Sequence, residues 1–349
     1  MARVEQVVFL ASGVAWFGSH TGEMAMLPHL SRLTKLKTIV PRKTLPRRFM
    51  GKLHSMYRGW PPRNQHVSFA ELQAWMQFQG SKNTVLHVLR SEEHSHFLSL
   101  WDKLPKNIVN TIHLPVALWS KDYREAISRL SSAIVYFTSG IEKIGSLMGQ
   151  PNIKFIHNGV DTDFFKPDLR KLQTPPRILY SGVYLRNEPM LVRVVKRLAE
   201  KMPDLRFDLL VPAHHRKSPA LAPLLEHPAI TWHGGLNDEE LCALYQRSYL
   251  VLLPMNESGA NTAVVEALAS GLPLVTTDVG GIRDYGGGTV FPTVANNDDD
   301  AMVELVGRYL SKPNWRDDIG LKSRQFAEDV LAWPLIAARH LKAYQELSA

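Results

Sequence analysis

Residues 251–285, VLLPMNESGANTAVVEALASGLPLVTTDVGGIRDY, constrain the fold of this chain more than any other stretch. The first five residues are a continuous apolar run of the kind that forms a buried strand. Ala263, Val264, Ala267 and Leu268 then recur at helical spacing, and residues 273–277 read as a second strand. Strand, loop, helix and strand in that order make a unit of a parallel α/β sheet. The loop holds only small or polar residues, Ser258, Gly259, Ala260, Asn261 and Thr262, and leaves backbone N–H groups at a helix start for an anion such as a phosphate. One turn on, Glu266 points back toward the same helix end, where a carboxylate suits the hydroxyls of a ribose. Phosphate donors beside a hydroxyl acceptor describe a pocket for a nucleotide or a nucleotide sugar.

The stretch resembles the donor-binding segment of the retaining glycosyltransferases of family 4, group 1 glycosyl transferases with the GT-B fold. That fold has two Rossmann-like, doubly wound α/β domains facing each other across a cleft. In the family two glutamates, eight residues apart, flank the loop; the first contacts the donor sugar and the second the ribose. Glu266 matches the second. Ser258 stands at the place of the first, with Glu257 one position before it, so the resemblance implies that Glu257, Ser258 or Asn261 holds the sugar. Residues 157–168, HNGVDTDFFKPD, are similar to the family's segment joining the two domains; Asn158-Gly159 favours a turn and Asp161 suits a cap. His113 closes an apolar run at IHLP and matches a histidine that sits over the donor sugar. On residue type alone it reads equally well as a hydrogen-bonded histidine ending a strand.

In GVYLRNEP, residues 182–189, the family places an arginine directly after the glycine, Gly182, and a lysine five residues later, both for the donor diphosphate. Val183 and Glu188 stand there. Arg186, with Asn187 beside it, is the cation this loop offers instead. In the first half, SHTG (residues 19–22) occupies the glycine-bearing first strand-to-helix turn. Gly18 and Gly22 permit close backbone approach there, and His20 reads either as a contact to substrate or as a solvated loop residue.

A chain of 349 residues has room for two domains. The expected division is an acceptor-side domain over 1–165, a donor-binding domain over 166–328, and a helix over 329–349 that returns to the first domain. Apolar runs predict strands at 7–11, 84–89, 108–113, 134–138, 154–160, 177–183, 207–211 and 230–235, with an amphipathic helix carrying Met24, Leu27, Leu30 and Leu33. Residues 301–347 are helical by period, interrupted at Trp333-Pro334. The single cysteine, Cys242, excludes an intrachain disulfide framework and reads as core. Glu92, Glu93, His94 and His96 resemble metal ligands by type, yet consecutive residues point to several faces, and a metal site is disfavoured. The resemblance likewise implies a metal-independent reaction with no cofactor beyond the nucleotide sugar. Without a signal-like N-terminus or an apolar run of membrane-spanning length, a cytoplasmic protein is the default expectation.

The formal charge of +8 is concentrated. Residues 25–70 hold ten basic side chains and no acidic one, and the rest of the chain is close to neutral. Within this stretch Phe49, Leu53, Met56 and Trp60 share one helical face with Arg47, Arg48, Lys52 and Arg58 around them. That is the pattern of an interfacial helix and predicts peripheral association of residues 42–60 with an anionic membrane surface, on its inner face. A basic face over a core stripe and a site for an acidic polysaccharide compete with it; nucleic acid is disfavoured because no nucleic-acid module is present. The expected activity is transfer of a sugar from a nucleotide-diphosphate sugar to a glycan or lipid-linked acceptor with retention of configuration, in bacterial polysaccharide, lipopolysaccharide or glycolipid synthesis. The competing classes are a non-catalytic GT-B partner protein and a GT-B nucleotide-sugar epimerase.

Overall fold

The computed structural model describes residues 3–11, 18–57, 65–78, 82–92, 94, 103–149, 152–168 and 172–349. The chain divides into two compact units. The first comprises Met1–Phe17, Met26–His157 and Pro334–Ala349, the second Gly18–Ala25 and Asn158–Trp333.

The first unit is built on β1 (Gln6–Leu10), β2 (Lys35–Ile39), β3 (Thr84–Val88), β4 (Ile108–Ile112), β5 (Ser132–Val135) and β6 (Ile153–Phe155), in the order β2-β1-β3-β4-β5-β6 with every pair parallel. A parallel sheet is covered on both faces, so β3, β4 and β5 are buried along their whole length. β2 is different. Its sequence KLKTI carries no apolar run, and as an edge strand with exposed lysines it fits the way natural sheets blunt their edges. β6 is shorter than the predicted 154–160, because the chain leaves the sheet before the Asn158-Gly159 turn.

The second unit is built on β7 (Arg177–Ser181), β8 (Arg206–Leu210), β9 (Ile230–His233), β10 (Leu250–Leu253), β11 (Leu274–Thr277) and β12 (Thr293–Val294), ordered β12-β11-β10-β7-β8-β9 and parallel throughout. Counted from β7, this is the doubly wound order 3-2-1-4-5-6, which reverses between β7 and β10. Open α/β sheets bind ligands where the order reverses, beyond the C-terminal ends of those two strands. The loops that leave β7 and β10 are tied together: Asn187 N–H donates to Pro254 O at 2.9 Å and Asn256 N–H to Leu185 O at 3.0 Å.

One helical expectation is corrected: the segment from Met24 to Leu33 is a 3-10 turn, Glu23–Met26, followed by a short helix, Leu27–Ser31, with Pro28 in its first turn. Residues 301–347 are helical with a break just before Trp333-Pro334, in line with the expectation; the part before the break is two helices, Asp299–Ser311 and Pro313–Phe326, with a π-helical turn, Ala327–Leu331, and the part after it is the helix Trp333–Leu347. Pro313 begins the second of them because a missing N–H costs nothing at a helix start. Asp298 accepts from Ala301 N–H at 2.9 Å and caps the helix Asp299–Ser311.

The basic segment forms the helix Leu45–Tyr57, packed against the helix Gln65–Phe78. Gly51 is buried, whereas Leu45, Phe49, Met50 and Leu53 are exposed, Leu45 to 81% and Phe49 to 63%. These described apolar side chains therefore face solvent, against the core-stripe alternative. Trp60, Arg58 and the side chain of Met56 lie outside the described residues. Among the described residues no helix is long and apolar enough to cross a membrane.

Candidate functional site

The switch point between β7 and β10 gathers most of the second-half residues singled out from the sequence. After β10 the chain runs through residues 254–261 into the helix Thr262–Ala269, with Asn261 at the N-cap position. Glu266 sits on this helix, 4% exposed. Its Oε2 accepts from Tyr245 Oη at 2.9 Å, while among the described residues no geometrically complete hydrogen bond reaches Oε1. Burial pushes the carboxyl up to about 8; Tyr245 and the nearby Thr21 pull it only partly back, and Asp238 adds to the rise. The Thr21 hydroxyl is buried beside the Glu266 carboxyl and lowers its pKa through a side-chain hydrogen-bonding interaction.

Arg186 lies in the neighbouring loop and is buried. Its Nε and Nη2 donate to Ser181 O at 3.0 and 2.7 Å, Nη1 to Tyr184 O at 3.2 Å, and Nη2 to Asn261 Oδ1 at 3.3 Å. Among the described residues no carboxylate pairs with it. Burial lowers its pKa, and the surroundings offer it carbonyl dipoles rather than a countercharge. Arg186 and the loop before the helix are thus in direct contact through Asn261.

The loop itself is held from below. Gly281 N–H donates to Ser258 O at 2.7 Å, and Gly280, at φ +51°, approaches so closely that a Cβ would stand 2.0 Å from Glu257 Oε1 and 2.2 Å from Ser258 O. Ser258 is buried with its hydroxyl donated to Gly259 O at 3.2 Å. Glu257 is half-buried and accepts from Ser258 N–H at 2.9 Å. Of these two, only Glu257 keeps an acidic group at the surface of the loop. Asn187 is committed to the scaffold: Oδ1 caps the helix Glu188–Lys201 through Met190 N–H, and Nδ2 donates to the side chains of Asn296 and Asn297. Glu188, at the place of the family lysine, accepts from Ser218 Oγ and meets His215 Nε2 at 2.5 Å. Cys242 is a buried residue of the helix Asp238–Gln246.

The segment Gly18–Ala25 belongs to this unit, with Gly22 at φ +78°. His20 Nδ1 lies 2.7 Å from Asp161 Oδ2, a pairing across 141 residues that no local pattern signals. Asp161 Oδ1 in turn accepts from Asp163 and Phe164 N–H, the capping expected of it.

His113 follows β4 in the first unit. Glu92 Oε1 accepts both His113 N–H and Leu114 N–H, at 2.6 and 2.9 Å, and the imidazole Nδ1 is 3.7 Å from Glu92 Oε2. Burial opposes the Glu92 charge, yet His113 and those backbone donors hold its pKa below the ordinary value. His94 pairs with buried Glu71 at 3.2 Å, and Glu93 and His96 lie outside the described residues. Among the described residues no three His, Cys, Asp or Glu side chains cluster as metal ligands would.

Residues 175–312 match the family described as glycosyl transferases group 1. The MMP α-(1→4)-mannosyltransferase of Mycolicibacterium hassiacum is 28% identical over 197 residues, 55% of this chain and 47% of the relative. The chain spans about half the length of the curated relatives it matches. Among solved structures, sucrose-phosphate synthase from Thermosynechococcus elongatus superposes with a TM-score of 0.75 at 14% identity, covering 98% of this chain and 99% of that one. HepE from Anabaena, in complex with UDP and glucose, superposes with a TM-score of 0.70 at 11% identity, covering 97% and 98%. At such identities the likeness establishes the fold, which is GT-B. The second unit of this chain carries a glycosyl transferases group 1 domain.

Proposed function

We propose that this protein transfers a sugar from a nucleotide-diphosphate sugar to an acceptor hydroxyl, with retention of configuration, in the manner of family 4 glycosyltransferases. One observation carries the proposal: among the described residues, a buried arginine that no carboxylate pairs and a buried carboxyl with an incompletely bonded oxygen share the switch point of a doubly wound sheet. A nucleotide diphosphate meets both needs. Its phosphates supply the anion for Arg186 and for the N–H groups of Gly259, Ala260, Asn261 and Thr262, and a ribose hydroxyl supplies the donor for Glu266 Oε1. Glu257 holds the sugar, and Gly182 and Asn187 shape the phosphate loop. Arg186 stabilises charge developing on the leaving diphosphate, which a reaction without a metal requires of protein groups. The Mycolicibacterium hassiacum relative is by name a mannosyltransferase; the acceptor here is a glycan or a lipid-linked glycan, and the exposed apolar and basic side chains of the helix Leu45–Tyr57 support work at an anionic membrane surface.

The test is a thermal-shift screen of UDP, GDP and ADP and their common sugars, repeated on Arg186→Met and Glu266→Ala. A ligand at a hundred times its dissociation constant stabilises by about 2.7 kcal/mol. The expected result is a shift with one base, reduced in both variants. No shift with any nucleotide would sink the enzyme reading in favour of a non-catalytic partner protein, and a bound nucleotide sugar turned over without glycoside formation would favour an epimerase.

A further inference from the structure

His20 is held in one orientation by three separate devices. Its ring stacks on Phe164 with centroids 3.8 Å apart and planes 4° from parallel. Its Nδ1 meets Asp161 Oδ2 at 2.7 Å. Its backbone is pinned as well: Ser19 N–H and His20 N–H both donate to Asp238 Oδ2, at 2.6 and 3.0 Å, and Gly18 packs so closely on that carboxylate that a Cβ would collide with it. Asp161 is itself fixed, because Oδ1 accepts from the N–H groups of Asp163 and Phe164 and only Oδ2 is turned to the imidazole. A carboxylate accepting from Nδ1 selects the tautomer with its hydrogen there, which leaves a lone pair on Nε2. The side chain is 36% exposed, and the next residue, Thr21, stands beside Glu266 at the switch point.

We infer that His20 is a substrate-contacting residue whose Nε2 accepts a hydrogen bond from a sugar hydroxyl, with Asp161 and Phe164 as the positioning residues that set its tautomer and ring plane. The inference rests on the sugar-transfer reading. A lone pair on a neutral ring repels a phosphate oxygen and suits a hydroxyl donor. That hydroxyl has two sources, the sugar of the donor and the acceptor.

The experiment uses the full chain labelled with 15N-histidine and long-range 1H–15N correlation spectra, on the native protein and on Asp161→Asn. Asparagine keeps Oδ1 for the turn but replaces Oδ2 with an amide donor. Native His20 is expected to carry its hydrogen on Nδ1 and the variant on Nε2, with the thermal midpoint little changed. If the donor is the source, UDP-glucose, GDP-mannose or ADP-glucose shifts the Nε2 resonance relative to the bare nucleotide, and Asp161→Asn weakens that nucleotide sugar, but not the nucleotide, by roughly tenfold, as loss of one hydrogen bond does. If the acceptor is the source, glucose or mannose added with the bare nucleotide shifts Nε2 instead. An Nε2–H tautomer in the native protein, or an Nε2 resonance that responds to none of these sugars, overturns the inference. Binding of a nucleotide without an Nε2 response sinks only the role of His20; binding of no nucleotide sinks the sugar-transfer reading with it.

Discussion

Two of the places where the second unit buries charge are built on opposite principles. At Asp208, in the middle of β8, both carboxylate oxygens are met: Oδ2 accepts from Arg177 Nε at 2.6 Å, Oδ1 accepts from Arg177 Nη2 at 2.8 Å and Arg247 Nη2 at 3.1 Å, and His233 Nε2 lies 2.6 Å from Oδ1. At the switch point, Arg186 is surrounded by carbonyls, and Glu266 keeps one incompletely bonded oxygen among the described residues. Withdrawing an ion from water costs several kcal/mol unless a partner offsets it. The first cluster carries its own compensation and serves the scaffold. The second is completed by something outside the chain.

If that contrast is right, removing the charge has opposite signs at the two carboxylates. Glu266 has a folded-state pKa raised to about 8, so the folded protein favours the protonated form. Stability is then highest below the ordinary glutamate value and declines as pH rises toward 8. Glu266→Gln removes that decline. Urea unfolding from pH 5 to 9 should show a flat variant that exceeds the native protein at high pH, by at most about 5 kcal/mol at 1.36 kcal/mol per pKa unit. A native curve equally flat over that window would mean the carboxyl is already compensated and the contrast false.

Asp208→Ala tests the other half. It strands Arg177, Arg247 and His233 beside one another and should cost about 3–5 kcal/mol, read as a lower urea midpoint. Arginine and histidine partners hold Asp208 well below the usual carboxylate range. Its contribution is therefore present above about pH 4 and fades as pH falls further, so the native protein and the variant should converge in acid. A variant as stable as the native chain at pH 7 would leave no reason to separate the two clusters.

The sequence exposed the apolar strands and the loop chemistry of the second unit well, because both are written locally. Residues 251–285 hold strand, loop, helix and strand in one stretch, and β10, the helix Thr262–Ala269 and β11 fall within two residues of the expected bounds. β2 was illegible because an edge strand marked by Lys35 and Lys37 carries no apolar run, and β12, at two residues, has no period to read. At the site, Glu266 and Arg186 were visible by type. What could not be read was the commitment of their neighbours. Asn187 turns to Asn296 and Asn297, and His20 to Asp161, across separations of more than a hundred residues that no local pattern encodes.

The helix Leu45–Tyr57 extends the contrast to charges that water already satisfies. Arg48, Lys52, Phe49 and Leu53 are exposed, so replacing them should leave stability within about 0.5 kcal/mol, the smallest effect expected anywhere in this set. A core stripe would behave otherwise, losing about 2–5 kcal/mol for each large apolar side chain removed. The measurable consequence lies in partitioning. Arg48→Ser with Lys52→Ser should weaken sedimentation with phosphatidylglycerol-containing vesicles by about 1 kcal/mol per charge, and added salt should reproduce much of that loss. Phe49→Ser with Leu53→Ser should weaken it in a way salt does not reproduce, since insertion of apolar side chains is not screened. Equal binding of the native chain to pure phosphatidylcholine and to anionic vesicles, or no binding to either, would assign the exposed helix to some other surface.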